Sequence, residues 1–309
     1  MTIFNFFDVV SVDCDESCQF AEAFLIKQFS DFKSNDQSVR NEVTVNICSS
    51  RPSSSFSGLL TWSSWGSCLK LYRSSCDKYA MFISGCPPKA LMSRVLLFIF
   101  RVAFSRSHFS ICHAAVVGKK GGCELLFGPG GAGKTETAFL RASVDPDLSI
   151  FTDDYCFVGM DHSVLPVPRY VVIKPDNFKY VLNSLSEAQI NKFERWELGR
   201  WRSFIRLLPG RFRQSPIVHL ENDFILEADR LSVLTIHKIT TLEPIEDEHR
   251  SSYFYEINQA EFAVPQNVRF RGHNTRVSFS EDFNVLNRKL QELEHKFWTD
   301  FFGRREHLA

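Results

Sequence analysis

The sequence predicts an α/β protein. Its core is a mixed sheet in which a hairpin leads through a glycine loop into a helix, and a small α/β module precedes that core. Three observations predict this. Apolar runs at 111–117 and 123–127 flank Gly118-Lys119-Lys120-Gly121-Gly122, the pattern of two strands joined by a tight turn. The second run passes without a break into Gly128-Pro129-Gly130-Gly131-Ala132-Gly133-Lys134-Thr135, and 136–142 reads as a helix opening. Upstream, 1–88 alternates short strand-like runs with loop composition.

Taken in order, 13–32 has the composition of a helix and 42–47 alternates like a strand. The serine-rich stretch 48–58 reads as a loop, followed by strand-like runs at 59–64, 68–73 and 79–83. Pro87-Pro88 closes this module, and 89–104 reads as a helix leading onward. Beyond the hairpin, 148–151 is a short strand ending at Thr152-Asp153-Asp154, with further strands at 170–173 and 231–236. Leu286, Leu290, Leu293, Phe297 and Phe301 recur at helical spacing, the stripe of a helix that covers a core face. The expected division is an N-terminal module of 1–104 and a nucleotide-binding domain of 105–309.

Composition bounds the partners. The chain has 309 residues with 36 basic and 36 acidic side chains, a balance that argues against nucleic acid or an anionic membrane surface. The most apolar stretch, 90–104, is interrupted by Arg94 and Arg101 and is too short to span a bilayer. The first eight residues lack the basic region and cleavage site of a signal peptide. Nine cysteines at irregular spacing suit reduced thiols in a cytoplasmic protein, and Cys14 and Cys18 have no second pair with which to hold zinc. An assembly of identical copies is compatible with this composition.

Gly128 and Gly133-Lys134-Thr135 complete the pattern G-x-x-x-x-G-K-[ST]. Around a phosphate, backbone must approach closely, and Gly128, Gly130, Gly131, Ala132 and Gly133 keep side chains out of the way. Loop amides and the following helix N-terminus then favour an anion. Lys134 supplies a charge for β- and γ-phosphates, and the Thr135 hydroxyl suits Mg²⁺. Three more features accompany the loop: His113 before it, Glu136 directly after Thr135, and Asp153-Asp154 at the end of the next strand.

Together, His113-Ala114-Ala115 by a hairpin, Gly128–Glu136 and the Asp153-Asp154 pair resemble the HPr kinase/phosphorylase family, within the phosphoenolpyruvate carboxykinase-like P-loop kinases. The resemblance is close over 108–160 and looser at 231–238. It implies a carboxykinase-like core, ATP and Mg²⁺ as cofactors, and transfer of the γ-phosphoryl group to a hydroxyl. By that resemblance Asp153 is the base, Asp154 and Glu136 join Thr135 at the metal, and His113 polarises the catalytic aspartate. The family's second signature is missing, Glu197-Leu198-Gly199 being a faint trace of it. The chain therefore looks closer to divergent relatives of the lasso-peptide type, which phosphorylate a serine of a precursor peptide.

The expected acceptor is a serine on a peptide or small protein. A small-molecule hydroxyl is the second enzymatic option, and a nucleotide-gated switch without a phosphorylated product is the non-catalytic one. The segment 195–213 interleaves six arginines with aromatics. It reads as a lid or acceptor-binding segment, as a solvent-facing helix, or, less well, as a single-strand nucleic-acid contact.

Overall fold

The structure is a computed structural model, and it describes residues 1–34, 41–74, 77–119, 122–145, 147–167, 170–172, 217–219, 231–237, 241–243 and 247–303. The protein is mixed α/β. Its chain divides into two units: Met1–Ile111 with Asp247–Ala309, and Cys112–Glu246.

Unit 1 is built on nine strands. They are β1 (Thr2–Phe6), β2 (Val10–Cys14), β3 (Lys33–Ser34), β4 (Val43–Cys48), β5 (Ser57–Ser64), β6 (Ser67–Arg73) and β7 (Lys78–Ser84) from the N-terminal part. β18 (Asn267–Phe270) and β19 (His273–Phe279) come from the C-terminal part. Their order is β18-β19-β5-β6-β7-β4-β2-β1-β3. β2, β4 and β7 run parallel, and all other neighbours are antiparallel. Helix α1 (Gln19–Phe29) joins β2 to the parallel β4 side and buries Ala21, Phe24, Leu25 and Phe29.

Helix α2 (Lys89–Arg106) accounts for the apolar stretch at 90–104. Every residue from Val95 to Phe104 is buried, as expected of a helix covered on all sides. Phe100 meets Phe6 of β1 at 4.6 Å between ring centroids. Phe98 meets Phe283 of α5 (Glu281–Gly303) at 4.7 Å. Among the described residues no helix is long and apolar enough to cross a membrane.

Arg101 lies in the middle of this apolar surround, 2% exposed. Its guanidinium meets Glu294 of α5 through two hydrogen bonds, of 2.8 and 2.6 Å. It also donates to the Phe262 carbonyl at 3.2 Å and to Gln259 at 3.1 Å, both on α4 (Asp247–Phe262). A buried ion pair is tolerable only when its remaining polar atoms are satisfied, and this network does that.

Unit 2 has a five-stranded mixed sheet in the order β11-β9-β10-β16-β17. Its strands are β9 (Ala114–Lys119), β10 (Gly122–Phe127), β11 (Ser149–Thr152), β16 (Leu231–His237) and β17 (Thr241–Glu243). Only β10 and β16 pair in parallel. β8 (Phe109–Cys112) spans the boundary between the two units along the chain, and within unit 2 β12 (Cys156–Gly159) and β13 (Val164–Pro166) pair antiparallel. β14 (Tyr170–Val172) pairs with β15 (Ile217–His219). Helix α3 (Lys134–Val144) follows the glycine loop.

Several elements differ from expectation. The helix expected over 13–32 starts only at Gln19, because Asp13 and Cys14 pair with Ile3 and Thr2 of β1. The strand expected over 111–117 is two strands, broken at His113, just past the boundary between the two units along the chain. α4, β18 and β19 had no sequence expectation. The expected division placed 105–309 in one domain. By contact, 247–303 instead belongs with the N-terminal strands, since Val277 of β19 pairs with Trp62 of β5. The C-terminal stripe buries Leu290, Phe297 and Phe301 but leaves Leu293 half exposed. The segment 195–213 lies outside the described residues.

Two stability predictions arise in unit 1. Glu294→Ala strands the buried Arg101 charge and is expected to cost about 3–5 kcal/mol, read from denaturant unfolding. The second concerns Asp77. The guanidinia of Arg106 and Arg73 hold its carboxyl down at about 2. The stabilisation is therefore complete above the ordinary carboxylate value of about 4. It is lost as pH falls through about 2. Asp77→Asn should lower the melting temperature at neutral pH, and the gap to wild type should close at the acid end of that window.

Candidate functional site

Strand register brings the site together. β9 and β10 pair antiparallel from Cys123 with Gly118 to Phe127 with Ala114. His113 and Gly128 therefore flank the same end of the hairpin. A Cβ on Gly118 would stand 2.6 Å from the Gly122 carbonyl oxygen, so glycine permits the closeness of the two strands near their turn. On the other side, β11 pairs with β9, and its register shifts between Ile150 and Thr152. This bulge bends the strand just before Asp153. Three strand ends thus meet at one edge of the sheet, carrying His113, the glycine loop and Asp153-Asp154. β16 runs parallel to β10, with Thr235 opposite Phe127, so its carboxyl end reaches the same edge. The expectation of a looser echo at 231–238 had not placed that strand beside β10.

The loop turns into α3 through Gly131 and Gly133, whose φ angles are +79° and +91°. Both positions favour glycine, and a Cβ at either would meet nothing within 4 Å. Gly133 is the N-cap of α3, and its carbonyl accepts from the Thr137 amide at 2.9 Å. Helix and sheet are further tied by the ion pair of Arg141 on α3 with Glu124 on β10.

Lys134 is 6% exposed, and its ammonium donates to the carbonyls of Gly128 at 2.7 Å and Pro129 at 3.2 Å. The charge is thus held within the loop itself. Thr135 Oγ1 donates to Asp153 Oδ2 at 3.4 Å. His113 is buried, and its Nε2 lies 3.6 Å from Asp154 Oδ1. Glu136 stands in the first turn of α3, where a carboxylate favours the helix dipole, and makes no ion pair among the described residues.

All of the expected site residues therefore gather at one edge. The pairing of the aspartates differs in detail from expectation. Asp153 is the carboxylate next to Thr135, and Asp154 is the one that His113 faces.

Sequence reasoning missed Thr152. It is 1% exposed, and its hydroxyl lies 3.0 Å from the Val167 carbonyl and 3.3 Å from that of Tyr155. The Asp154 amide approaches the same oxygen at 3.5 Å. One side chain thus holds the turn that presents both aspartates. The signal available in the sequence was a threonine directly before Asp-Asp at a strand end, a residue type that bonds nearby backbone.

The donor set fits phosphate and Mg²⁺. An ammonium and a glycine cradle suit the anion, and a hydroxyl with two carboxylates supplies hard oxygen donors. Among the described residues no three His, Cys, Asp or Glu side chains cluster as a metal centre. Mg²⁺ needs fewer, since it takes one or two carboxylates together with substrate phosphates and water. Cys14 and Cys18 are buried free thiols, and burial pushes the Cys14 thiol up to about 12.

Thr152→Val keeps the shape but strands the Val167 carbonyl to which the hydroxyl donates, and should destabilise unit 2 by about 1–3 kcal/mol. Thr152→Ser should restore most of that loss. Denaturant unfolding of both variants checks this. No protein-family model and no curated protein matches the chain.

Proposed function

We propose that the protein is a Mg-ATP-dependent kinase of the HPr kinase-like, carboxykinase-related type, which transfers the γ-phosphoryl group to a hydroxyl on a peptide or small protein. The observation that carries this reading is the pair of contacts at one sheet edge: Thr135 with Asp153 at 3.4 Å, and His113 with Asp154 at 3.6 Å. A phosphate loop alone serves binding. A second carboxylate faced by a histidine adds a group able to receive a proton.

Mg-ATP, when bound, supplies the phosphoryl group and a divalent charge that neutralises it. Lys134, which donates to the Gly128 and Pro129 carbonyls, would turn to the phosphate oxygens of a bound nucleotide. Thr135 and Asp153 offer neighbouring oxygens to the metal. Asp154 takes the proton of the acceptor hydroxyl, and His113 orients that carboxylate. This exchanges the roles that the family resemblance implies for the two aspartates, and the exchange follows from which partner each one faces.

Single-turnover transfer to a serine peptide, with nucleotide affinity measured in parallel, tests the reading. Asp154→Asn is expected to slow transfer by roughly 10²–10⁴-fold with little change in Mg-ATP affinity. Asp153→Asn is expected to raise the Mg²⁺ requirement, and Lys134→Ala to abolish stabilisation by Mg-ATP without unfolding the protein. If Asp153→Asn alone suppresses transfer, the roles revert to those of the family. If wild type leaves no phosphate on any acceptor while nucleotide still controls partner binding, the protein is a switch and the kinase reading fails.

A further inference from the structure

Unit 1 contains a cavity of about 580 Å³. That lies within the range of about 300–1,000 Å³ that encloses a single small molecule. It is formed wholly within unit 1, by α5, the end of α2, β5 and β6. Part of its wall is aliphatic: Leu59, Val102, Leu286, Leu290 and Leu293. Among the described residues no aromatic side chain lines it, although the protein has 30 phenylalanines, so that wall has no ring face on which a flat ligand would stack. Val285 and Leu293 are 40% and 50% exposed, which removes them from the core that the rest of α5 covers.

The remaining wall is polar and mostly cationic. Ser57 and Arg73 are cross-strand partners, and Ser74, Ser105 and Arg106 complete that part. Asp77 gathers the two guanidinia: Arg106 grips it with Nη1 at 2.7 Å and Nη2 at 3.0 Å, and Arg73 meets it at 2.8 Å. Arg73 Nη2 is the nitrogen so engaged, and Nη1 makes no hydrogen bond among the described residues. Lys289 adds a third cation and Asp282 a second carboxylate. Three cations against Asp77 and Asp282 leave one positive charge in excess. A guanidinium suits a carboxylate or phosphate group, and Arg73 keeps Nη1 for one while Arg106 and Asp77 hold it in place.

We propose that this cavity binds a single-chain anionic amphiphile, with its carboxylate or phosphate head at Arg73 and its aliphatic tail along Val285, Leu286 and Leu293. The proposal does not depend on the chemistry of the glycine loop.

Calorimetric titration of the full chain tests it, with each probe kept below its micellar concentration. Dodecanoate and dodecyl phosphate separate the two head groups, dodecyltrimethylammonium inverts the charge, and acetate removes the tail. One or both anionic probes should bind with a stoichiometry of one. The cationic probe and acetate should bind at least about tenfold more weakly, since one loses the arginine contacts and the other the apolar burial. Arg73→Gln should weaken the anionic probes by a similar factor. Leu293→Glu alters a half-exposed position, so its melting temperature should stay close to that of wild type while the tail site is lost. Equal binding of the cationic and anionic probes overturns the proposal, as does dodecanoate binding to Leu293→Glu as it does to wild type. These two comparisons decide the matter even where Arg73→Gln fails to fold.

Discussion

The register of one hairpin sets the geometry of the candidate site in unit 2. β9 and β10 close on each other so that Ala114 faces Phe127, and this places His113 and Gly128 at a common edge. Shift that pairing by one residue and every side chain changes face, so the histidine would leave the site. Gly118 protects the register, because any larger residue would collide with the Gly122 carbonyl near the turn. β11 adds the aspartates from the other flank of β9, and its bulge aims them. The geometry of the site is thus a property of three strand ends, with the loop carried on one of them.

In unit 1 a different constraint dominates. Its sheet and helices come from the two ends of the chain, and Arg101 ties them within the core. Removing a guanidinium from water costs far more than a single hydrogen bond returns, so the arginine is stable there only with its partners. Glu294, Gln259 and the Phe262 carbonyl supply them, all from the C-terminal part. Trp62 makes a second link, donating from its indole to Thr275 at 2.9 Å. The C-terminal helices and hairpin are therefore structural members of unit 1.

The two units divide their polar groups in a telling way. In unit 2 the polar side chains gather at one sheet edge: an ammonium, a hydroxyl, two carboxylates and an imidazole. In unit 1, Arg101 and Glu294 pair within the core, whereas Arg73 and Arg106 line a cavity whose opposite wall is aliphatic. An arginine in the core and an arginine at a cavity look alike in composition. Burial and partners distinguish them.

The glycine loop, the strand before it and the helix after it were legible in the sequence, because each depends on residues a few positions apart. Glycines that tolerate positive φ, a lysine and a threonine at fixed offsets carry their meaning locally. So do the alternating runs that became β4 to β7. The tertiary structure alone decided that Asp153 faces Thr135 and Asp154 faces His113, since adjacent aspartates are equivalent in sequence and only a bulge in β11 separates their directions. It alone decided that Thr152 holds their turn, and that the strand expected over 111–117 breaks at His113. It also decided that residues 247–303 complete the N-terminal sheet. The physical reason is the same in each case: these features come from pairing and desolvation between segments distant along the chain, for which no local pattern of residues provides a signal.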